Sequence, residues 1–99
     1  NIEIKNPLSS ETVAVIRQGM RRTVSDGTAR SLQSVSVPVA GKTGTAQYNL
    51  NRPPHSWFTG FAPYDQPEIA ITVIVEEGGD QGYAVRVARE FLEWYFQER

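Results

Sequence analysis

Two stretches of the sequence repeat apolar residues at spacings of three and four, which is typical of an amphipathic helix. In the first stretch, residues 10–24, the apolar stripe consists of Val13, Ile16, Met20 and Val24. Serines that suit a helix start come just before it, and an Asp-Gly turn follows it. Near the C-terminal end the stripe consists of Ala84, Val87, Ala88, Phe91, Leu92 and Tyr95. We therefore predict two helices, each with one buried face.

Between these helices, segments that favour strands alternate with segments that favour turns. Residues 39–47 combine small and hydroxyl side chains, residues 56–62 are aromatic, and residues 69–75 read Ile-Ala-Ile-Thr-Val-Ile-Val. Both faces of the last segment are largely apolar, which predicts an inner strand that is covered on both sides. Residues 1–5 fit a short strand, and residues 28–38 fit a loop or a weak strand. The order predicts an α+β fold, in which a three-stranded antiparallel sheet is flanked by an N-terminal and a C-terminal helix.

Composition excludes several classes of function. Ten basic and eleven acidic side chains give a formal net charge of −1, which offers no electrostatic basis for binding nucleic acid or an anionic membrane surface. With no cysteine and one histidine, the chain lacks the residues for a disulfide framework or a typical metal site, and nothing indicates a cofactor. Its apolar runs are far shorter than the roughly 20 residues of a membrane-spanning helix. The 99 residues fit one domain, but a start at Asn1 indicates a piece of something longer.

The sequence around Lys42 carries the strongest chemical signal, and two interpretations compete for it. Gly41-Lys42-Thr43 matches the end of a phosphate-binding loop. That loop requires a glycine five residues before Gly41, where this chain has Ser36, and a helix afterwards, where residues 47–54 read as a loop with two prolines. The nucleotide interpretation therefore fails on both counts.

The second interpretation is the Lys-Thr-Gly motif of penicillin-recognising acyl-transfer enzymes, on an edge strand beside a substrate cleft. The charge of Lys42 can lower the proton affinity of a nucleophile and attract a carboxylate. The hydroxyls of Thr43 and Thr45 can bind an anion, and Gly44, which lacks Cβ, lets a substrate backbone lie against the strand. The alternative for Lys42 is an exposed lysine that protects the strand edge from aggregation.

Several further segments resemble one family together. They are Met20 with Gly27-Thr28-Ala29, the run at residues 39–47, the run at residues 55–63 (His-Ser-Trp-Phe-Thr-Gly-Phe-Ala-Pro), and Glu76-Glu77-Gly78-Gly79 before the last helix. In this combination the chain resembles the C-terminal part of the transpeptidase domain of class B penicillin-binding proteins. It is most similar to the type that serves cell elongation and rod shape. The resemblance covers essentially all 99 residues.

The resemblance implies a role for each residue of the motif. The fold would be part of the penicillin-binding and serine β-lactamase-like fold. Lys42 would belong to the charge network beside the active serine, and the backbone N–H of Thr45 would be an oxyanion-hole donor. Thr43, Gly44 and Thr45 would bind substrate, the two hydroxyls holding the carboxylate of a D-Ala-D-Ala stem peptide of peptidoglycan or of a β-lactam. Neither a metal nor a cofactor is expected.

The chain also departs from the family pattern. The family requires Ser-x-x-Lys and Ser-x-Asn motifs. The two lysines, Lys5 and Lys42, have Ile2 and Val39 three positions earlier, and no serine has an asparagine two positions later. We therefore expect residues 1–99 to be an incomplete domain, inactive alone, whose partner is the rest of the same transpeptidase domain. The complete protein would face the periplasm from the bacterial inner membrane, through an N-terminal anchor that this chain lacks.

The sequence is also compatible with other functions of the same fold. The same fold serves β-lactam sensor domains, and class D β-lactamases also place a tryptophan-containing strand after Lys-Thr-Gly. Most other notable residues have structural interpretations: His55 as the start of a strand, and the Arg21-Arg22 and Glu76-Glu77 pairs as solvent-exposed or structural charges. The aromatic residues are expected mostly in the core, with Gly60 marking a bulge or a close backbone approach. They are Trp57, Phe58, Phe61, Trp94, Tyr95 and Phe96.

Overall fold

The structure is a computed structural model that describes residues 9–79 and 82–97. Its elements are helix α1 (Ser10–Ser25), a short 3-10 helix (Arg30–Ser34), strands β1 (Ala40–Ala46), β2 (His55–Ala62) and β3 (Ile69–Val75), and helix α2 (Tyr83–Phe96). The strand predicted for residues 1–5 lies outside the described residues. In the part of the chain described, no helix is long and apolar enough to cross a membrane.

The three strands form one antiparallel sheet, as predicted, and their order in the sheet is β1-β2-β3. The prediction that β3 is an inner strand concerns the complete domain, in which a strand from outside this chain would pair with its free edge. Within the described residues β2 is central, while β3 lies at the edge and its outer face is exposed, including Ile74 at 64%. The apolar pattern of β3 indicated two covered faces, but only the face of Ile69, Ile71, Val73 and Val75 packs on the core.

The core lies between the inner face of the sheet and helix α2. Phe58 at the centre of β2 is completely buried and is packed with α2 and with Leu32 of the 3-10 helix. The prediction of a loop or weak strand for residues 28–38 is therefore wrong in part. Residues 30–34 form the 3-10 helix, and this brings Leu32 and Val35 into the core.

Helix α2 is rotated relative to its predicted orientation. Ala84, Ala88 and Leu92 are buried as expected, but Val87 and Phe91 are 46% and 38% exposed. Val85 and Phe96 are buried in their place, at 6% and 3% exposure. Both stripes are apolar and have helical spacing, so the sequence pattern fits either of them equally well. Packing against the sheet determines which one is buried. Of the three aromatics at its end, Trp94 alone is largely exposed.

Helix α1 begins where its sequence predicts and packs beside β1. The Ser9 side chain accepts a hydrogen bond from the Thr12 N–H at 3.1 Å, which caps the helix. The expectation that Arg21 is solvated is wrong, because its guanidinium donates to the Val39 carbonyl at 2.9 Å. Arg17 donates to the Tyr64 carbonyl at 2.5 Å, and its guanidinium lies 5.2 Å from the Phe61 ring centre. Two arginines therefore hold α1 beside the sheet, while Ile16 of the predicted stripe is 47% exposed.

Glycines allow β1 and β2 to pack around the Phe58 ring. Gly41 and Gly60 are partners in the register of the two strands. A β-carbon on Gly41 would lie 2.4 Å from Cζ of Phe58, and one on Gly60 would lie 2.5 Å from the Ala40 carbonyl oxygen. The close approach predicted at Gly60 is confirmed, and the register runs through it without a bulge.

Candidate functional site

The Lys-Thr-Gly sequence lies on β1, at the edge of the sheet. β1 pairs with β2 on one side, and within the described residues no strand pairs with its other side. Alternate backbone N–H and C=O groups of an edge strand point away from its neighbour and can bond to an extended ligand. In the part of the chain that the structure describes, β1 thus lies at the edge position that the Lys-Thr-Gly interpretation predicts.

Lys42 is the one charged residue of β1 and its side chain is exposed. Its ammonium group donates a hydrogen bond to the Thr43 carbonyl at 2.8 Å. An ammonium group held by one local carbonyl keeps two further donors, so Lys42 can still bind an incoming anion.

Thr43 is tied to the loop after α1. The hydroxyls of Thr28 and Thr43 lie 2.8 Å apart, within hydrogen-bond distance. Thr28 belongs to the Gly27-Thr28-Ala29 segment, whose last residue is buried and whose Ala29 N–H donates to the Thr23 carbonyl at 2.9 Å. Thr28 is a site residue for which the sequence provided no role: its segment was recognised, but its partner across 15 residues was not.

Gly44 has a neighbour within the chain that the sequence did not predict. A β-carbon here would lie 2.3 Å from Cζ2 of Trp57, the residue opposite in the strand register. The missing side chain therefore makes room for an indole of this same chain, rather than only for a substrate backbone. Trp57 is half-buried in consequence and forms part of the site wall.

A groove of about 240 Å³ lies along this part of β1. It is lined by Thr28, Thr43, Gly44, Thr45, Ser56, Trp57, Gly82 and Val85. Three of these residues bear the hydroxyls of threonines, and the indole and Val85 supply apolar walls. The Ser56 hydroxyl accepts a hydrogen bond from the Ala84 N–H at 3.4 Å and is 4% exposed, which makes it a structural link to α2.

A cluster of four side chains lies beyond the end of β1. The Tyr48 ring stacks on the His55 ring with centres 4.4 Å apart, and Nδ1 of His55 accepts a hydrogen bond from the Glu77 N–H at 3.0 Å. Nε and a terminal nitrogen of Arg52 contact the two Glu77 carboxylate oxygens at 2.6 and 2.8 Å. His55 begins β2, as predicted, and has a structural partner.

This cluster shifts the pKa values of two of its members. The hydrogen bonds from Arg52 and then Tyr48 hold the pKa of the Glu77 carboxyl below its ordinary value. Loss of solvation, followed by its hydrogen bond to Glu77, raises the pKa of the Tyr48 hydroxyl. Glu76 and Glu77 follow the end of β3, and Glu77 has a left-handed backbone with φ of 52°.

The site is suited to binding an anionic group next to an apolar wall. Among residues 9–79 and 82–97, no group of three histidine, aspartate or glutamate side chains could hold a metal ion. A single ammonium group, threonine hydroxyls and a strand edge can together bind a carboxylate and an adjoining peptide-like backbone.

Comparison with known proteins shows which family this chain belongs to. A family model described as the penicillin binding protein transpeptidase domain matches residues 2–93. The peptidoglycan D,D-transpeptidase MrdA of Haemophilus influenzae is 36% identical over 101 residues, which cover 84% of this chain and 16% of MrdA. The chain thus spans about a sixth of the length of that relative.

Solved structures show the same fold. A D,D-transpeptidase domain of a peptidoglycan glycosyltransferase from Eggerthella lenta matches with a TM-score of 0.79 and 29% identity, covering 91% of this chain and 21% of that one. The imipenem acyl-enzyme complex of penicillin-binding protein A from M. tuberculosis matches with a TM-score of 0.73 and 30% identity, covering 91% of this chain and 20% of that one. The predicted fold class and the resemblance to class B penicillin-binding proteins are confirmed. The chain belongs to the penicillin-binding protein transpeptidase domain family.

Proposed function

We propose that this chain supplies the Lys-Thr-Gly strand of a serine D,D-transpeptidase that cross-links peptidoglycan stem peptides through an acyl-enzyme. The observation that carries the proposal is the groove along Thr43, Gly44 and Thr45, at an edge of β1 with which no described strand pairs, and with Lys42 exposed on the same strand. The names of the relatives, a peptidoglycan D,D-transpeptidase and an imipenem acyl-enzyme, support the same chemistry.

Each residue of the motif has a proposed role. The Lys42 ammonium group attracts the substrate carboxylate and favours the deprotonated form of the attacking group. The hydroxyls of Thr43 and Thr45 hold the terminal carboxylate of the stem peptide, or the carboxylate of a β-lactam. The backbone N–H of Thr45 stabilises the negative charge that develops on the attacked carbonyl oxygen. Gly44 and Trp57 together shape the wall along which the substrate lies.

The nucleophile must come from the rest of the domain. The chain has no Ser-x-x-Lys and no Ser-x-Asn sequence, and Ser56 is buried against the N-terminal end of α2. We propose that the partner is the upstream portion of the same transpeptidase domain, which would also pair with the free edge of β3 and cover Ile74 on its outer face. The complete protein would act on the periplasmic face of the inner membrane, where its substrate is located, held there by an N-terminal anchor.

Covalent labelling with a fluorescent penicillin tests the proposal. We expect no label on this chain alone. We expect stable label on a domain in which this chain replaces its counterpart in a relative such as the Haemophilus influenzae MrdA. Lys42→Ala in that domain should strongly depress acylation, because the site loses its positive charge. Normal acylation of the Lys42→Ala domain would refute the assignment.

The same labelling experiment distinguishes the two alternative hypotheses, a class D-like β-lactamase and a β-lactam sensor domain. A transpeptidase retains the penicilloyl group for long periods, whereas a β-lactamase loses it quickly as the penicillin is hydrolysed. Rapid turnover would therefore favour a class D-like enzyme. A stably labelled domain that fails to join stem peptides would favour a β-lactam sensor.

A further inference from the structure

We propose that Glu77 and Arg52 form a clamp that positions the C-terminal end of β1, and with it the Thr45 N–H, for acylation. The proposal rests on the proposed function, since it assigns a role to residues outside the motif in that same reaction. These are positioning residues, because they act through the backbone of β1 and not by contact with substrate.

The loop between β1 and β2, which borders the site, is almost entirely exposed. It follows Ala46 directly, so its conformation determines how the strand ends one residue after Thr45. Residues 47–53 are all exposed, and Leu50 is 94% exposed. Because packing contributes little here, polar contacts must hold the loop in place.

The loop is first closed on itself by the residue that follows β1. Nε2 of Gln47 donates to the Arg52 carbonyl at 2.9 Å and also to the Asn49 carbonyl. The side-chain oxygen of Asn49 accepts from the Asn51 N–H at 2.9 Å. These bonds join the beginning of the loop to Arg52, so a restraint on Arg52 is transmitted to the end of β1.

The turn after β3 supplies that restraint. The Glu77 carboxylate receives two hydrogen bonds from Arg52, at 2.6 and 2.8 Å, a paired geometry that fixes orientation as well as distance. The Glu77 N–H donates to Nδ1 of His55, and the His55 ring stacks on Tyr48, two residues beyond β1. One residue therefore holds both the tip of the loop and its first aromatic side chain.

The turn itself is anchored, so the clamp is attached to a fixed point. The Gly79 N–H donates to the Pro54 carbonyl at 2.9 Å, and the Gly78 N–H donates to the Val75 carbonyl at 3.2 Å. A β-carbon on Gly78 would lie 2.9 Å from Val75 Cγ1, so the turn packs closely on the end of β3. Motion of the loop relative to β3 must break the contacts of Arg52 and Glu77.

The clamp is expected to affect the acylation rate more than binding. An oxyanion-hole donor is effective only when it is aimed at the position of the developing charge. Thr43 pairs with Phe58 in the middle of the strand, whereas Thr45 pairs with Ser56 and only the Ala46–His55 pair separates it from the loop. Loss of the clamp should therefore loosen the position of Thr45 and leave the first recognition of the ligand largely intact.

The experiment uses the complete chimeric domain, and measures the rate constant of acylation by penicillin and the dissociation constant of the preceding complex. We expect Glu77→Gln and Arg52→Ala each to lower the acylation rate constant by about tenfold, with a dissociation constant changed less than about twofold. The double variant should be no slower than either single variant. The exchanged pair Arg52→Glu with Glu77→Arg should recover part of the rate.

The matched control is a second ion pair, Arg89 with Glu93 on α2, at 3.4 Å and of similar exposure. Glu93→Gln should leave the acylation rate unchanged, because that pair does not contact β1 or its loop. Unchanged acylation in both clamp variants, in a domain where Lys42→Ala abolishes labelling, would overturn the clamp and leave the proposed function intact. Absence of labelling in the unmodified chimera would instead contradict the proposed function.

Discussion

Replacing Gly60 with alanine tests whether the packing of β1 against β2 depends on a missing side chain. The new β-carbon would lie 2.5 Å from the Ala40 carbonyl oxygen and 2.7 Å from Cζ of Phe58. The first neighbour is backbone in a paired strand, and the second is a ring with no exposure at all. Neither group can move away without a large cost in free energy, so β1 and β2 must move apart.

The size of the effect follows from two opposing contributions. Removing a glycine from a strand ordinarily gains about 0.5–1 kcal/mol, because the unfolded chain loses conformational freedom. Overpacking a rigid site ordinarily costs about 1–3 kcal/mol, and more when backbone must shift. We therefore expect Gly60→Ala to lower the free energy of unfolding by about 1–2 kcal/mol, and the Tm with it.

Thermal unfolding of the complete chimeric domain is the assay, with Gly19→Ala as the matched control. Gly19 is exposed in the middle of α1, and a β-carbon there would meet nothing within 4 Å. The same substitution should therefore raise stability at position 19, by about 0.5–1 kcal/mol. A Gly60→Ala domain as stable as the unmodified one would refute the reasoning from close approach.

Three further predictions concern the site and the helices. Gly44→Ala should displace the neighbouring indole into the groove, and we expect weaker initial binding of penicillin with little change in Tm; equal binding would contradict this. Leu92→Ala should cost about 2–5 kcal/mol of unfolding free energy by leaving a cavity, whereas Phe91→Ala, on the exposed side of α2, should cost far less. Because Arg52 lowers the pKa of Glu77, the ionised carboxylate stabilises the fold at pH values above the ordinary 4.5, and this is lost as the pH falls through the lowered pKa. The Tm difference between the unmodified domain and Glu77→Gln should therefore shrink on acidification, and a constant difference would count against the ion pair.

Much of the fold was predictable because it depends on local pattern. The start of α1, the presence of α2 and the three antiparallel strands followed from periodicity, the serines that cap α1 and turn signals. The expectation that Lys42 lies on an edge strand came from the Lys-Thr-Gly interpretation and not from periodicity, and in the described sheet β1 does lie at the edge. The 3-10 helix at residues 30–34 was not predicted, because it forms around the buried Leu32 and the local sequence does not indicate that burial.

The face that each element presents was decided by the tertiary structure. On α2 two apolar stripes overlap, and contact with the sheet selects the one with Val85 and Phe96 over the one with Val87 and Phe91. On β3 the sequence makes both faces apolar, but the position of the strand at the edge of the described sheet leaves one face exposed. Local sequence specifies that a stripe exists, while only packing specifies which neighbour covers it.

By itself, the sequence determined that this chain carries a Lys-Thr-Gly strand in an α+β setting and that no Ser-x-x-Lys accompanies it. The tertiary structure decided the surroundings of that strand. It placed Trp57 over Gly44, the Thr28 hydroxyl 2.8 Å from that of Thr43, and Glu77 against Arg52 across 25 residues of sequence. Such contacts join residues that are distant along the chain, and their geometry depends on strand register and loop closure. Neither periodicity nor a motif predicts strand register or loop closure, because both are properties of the folded backbone as a whole.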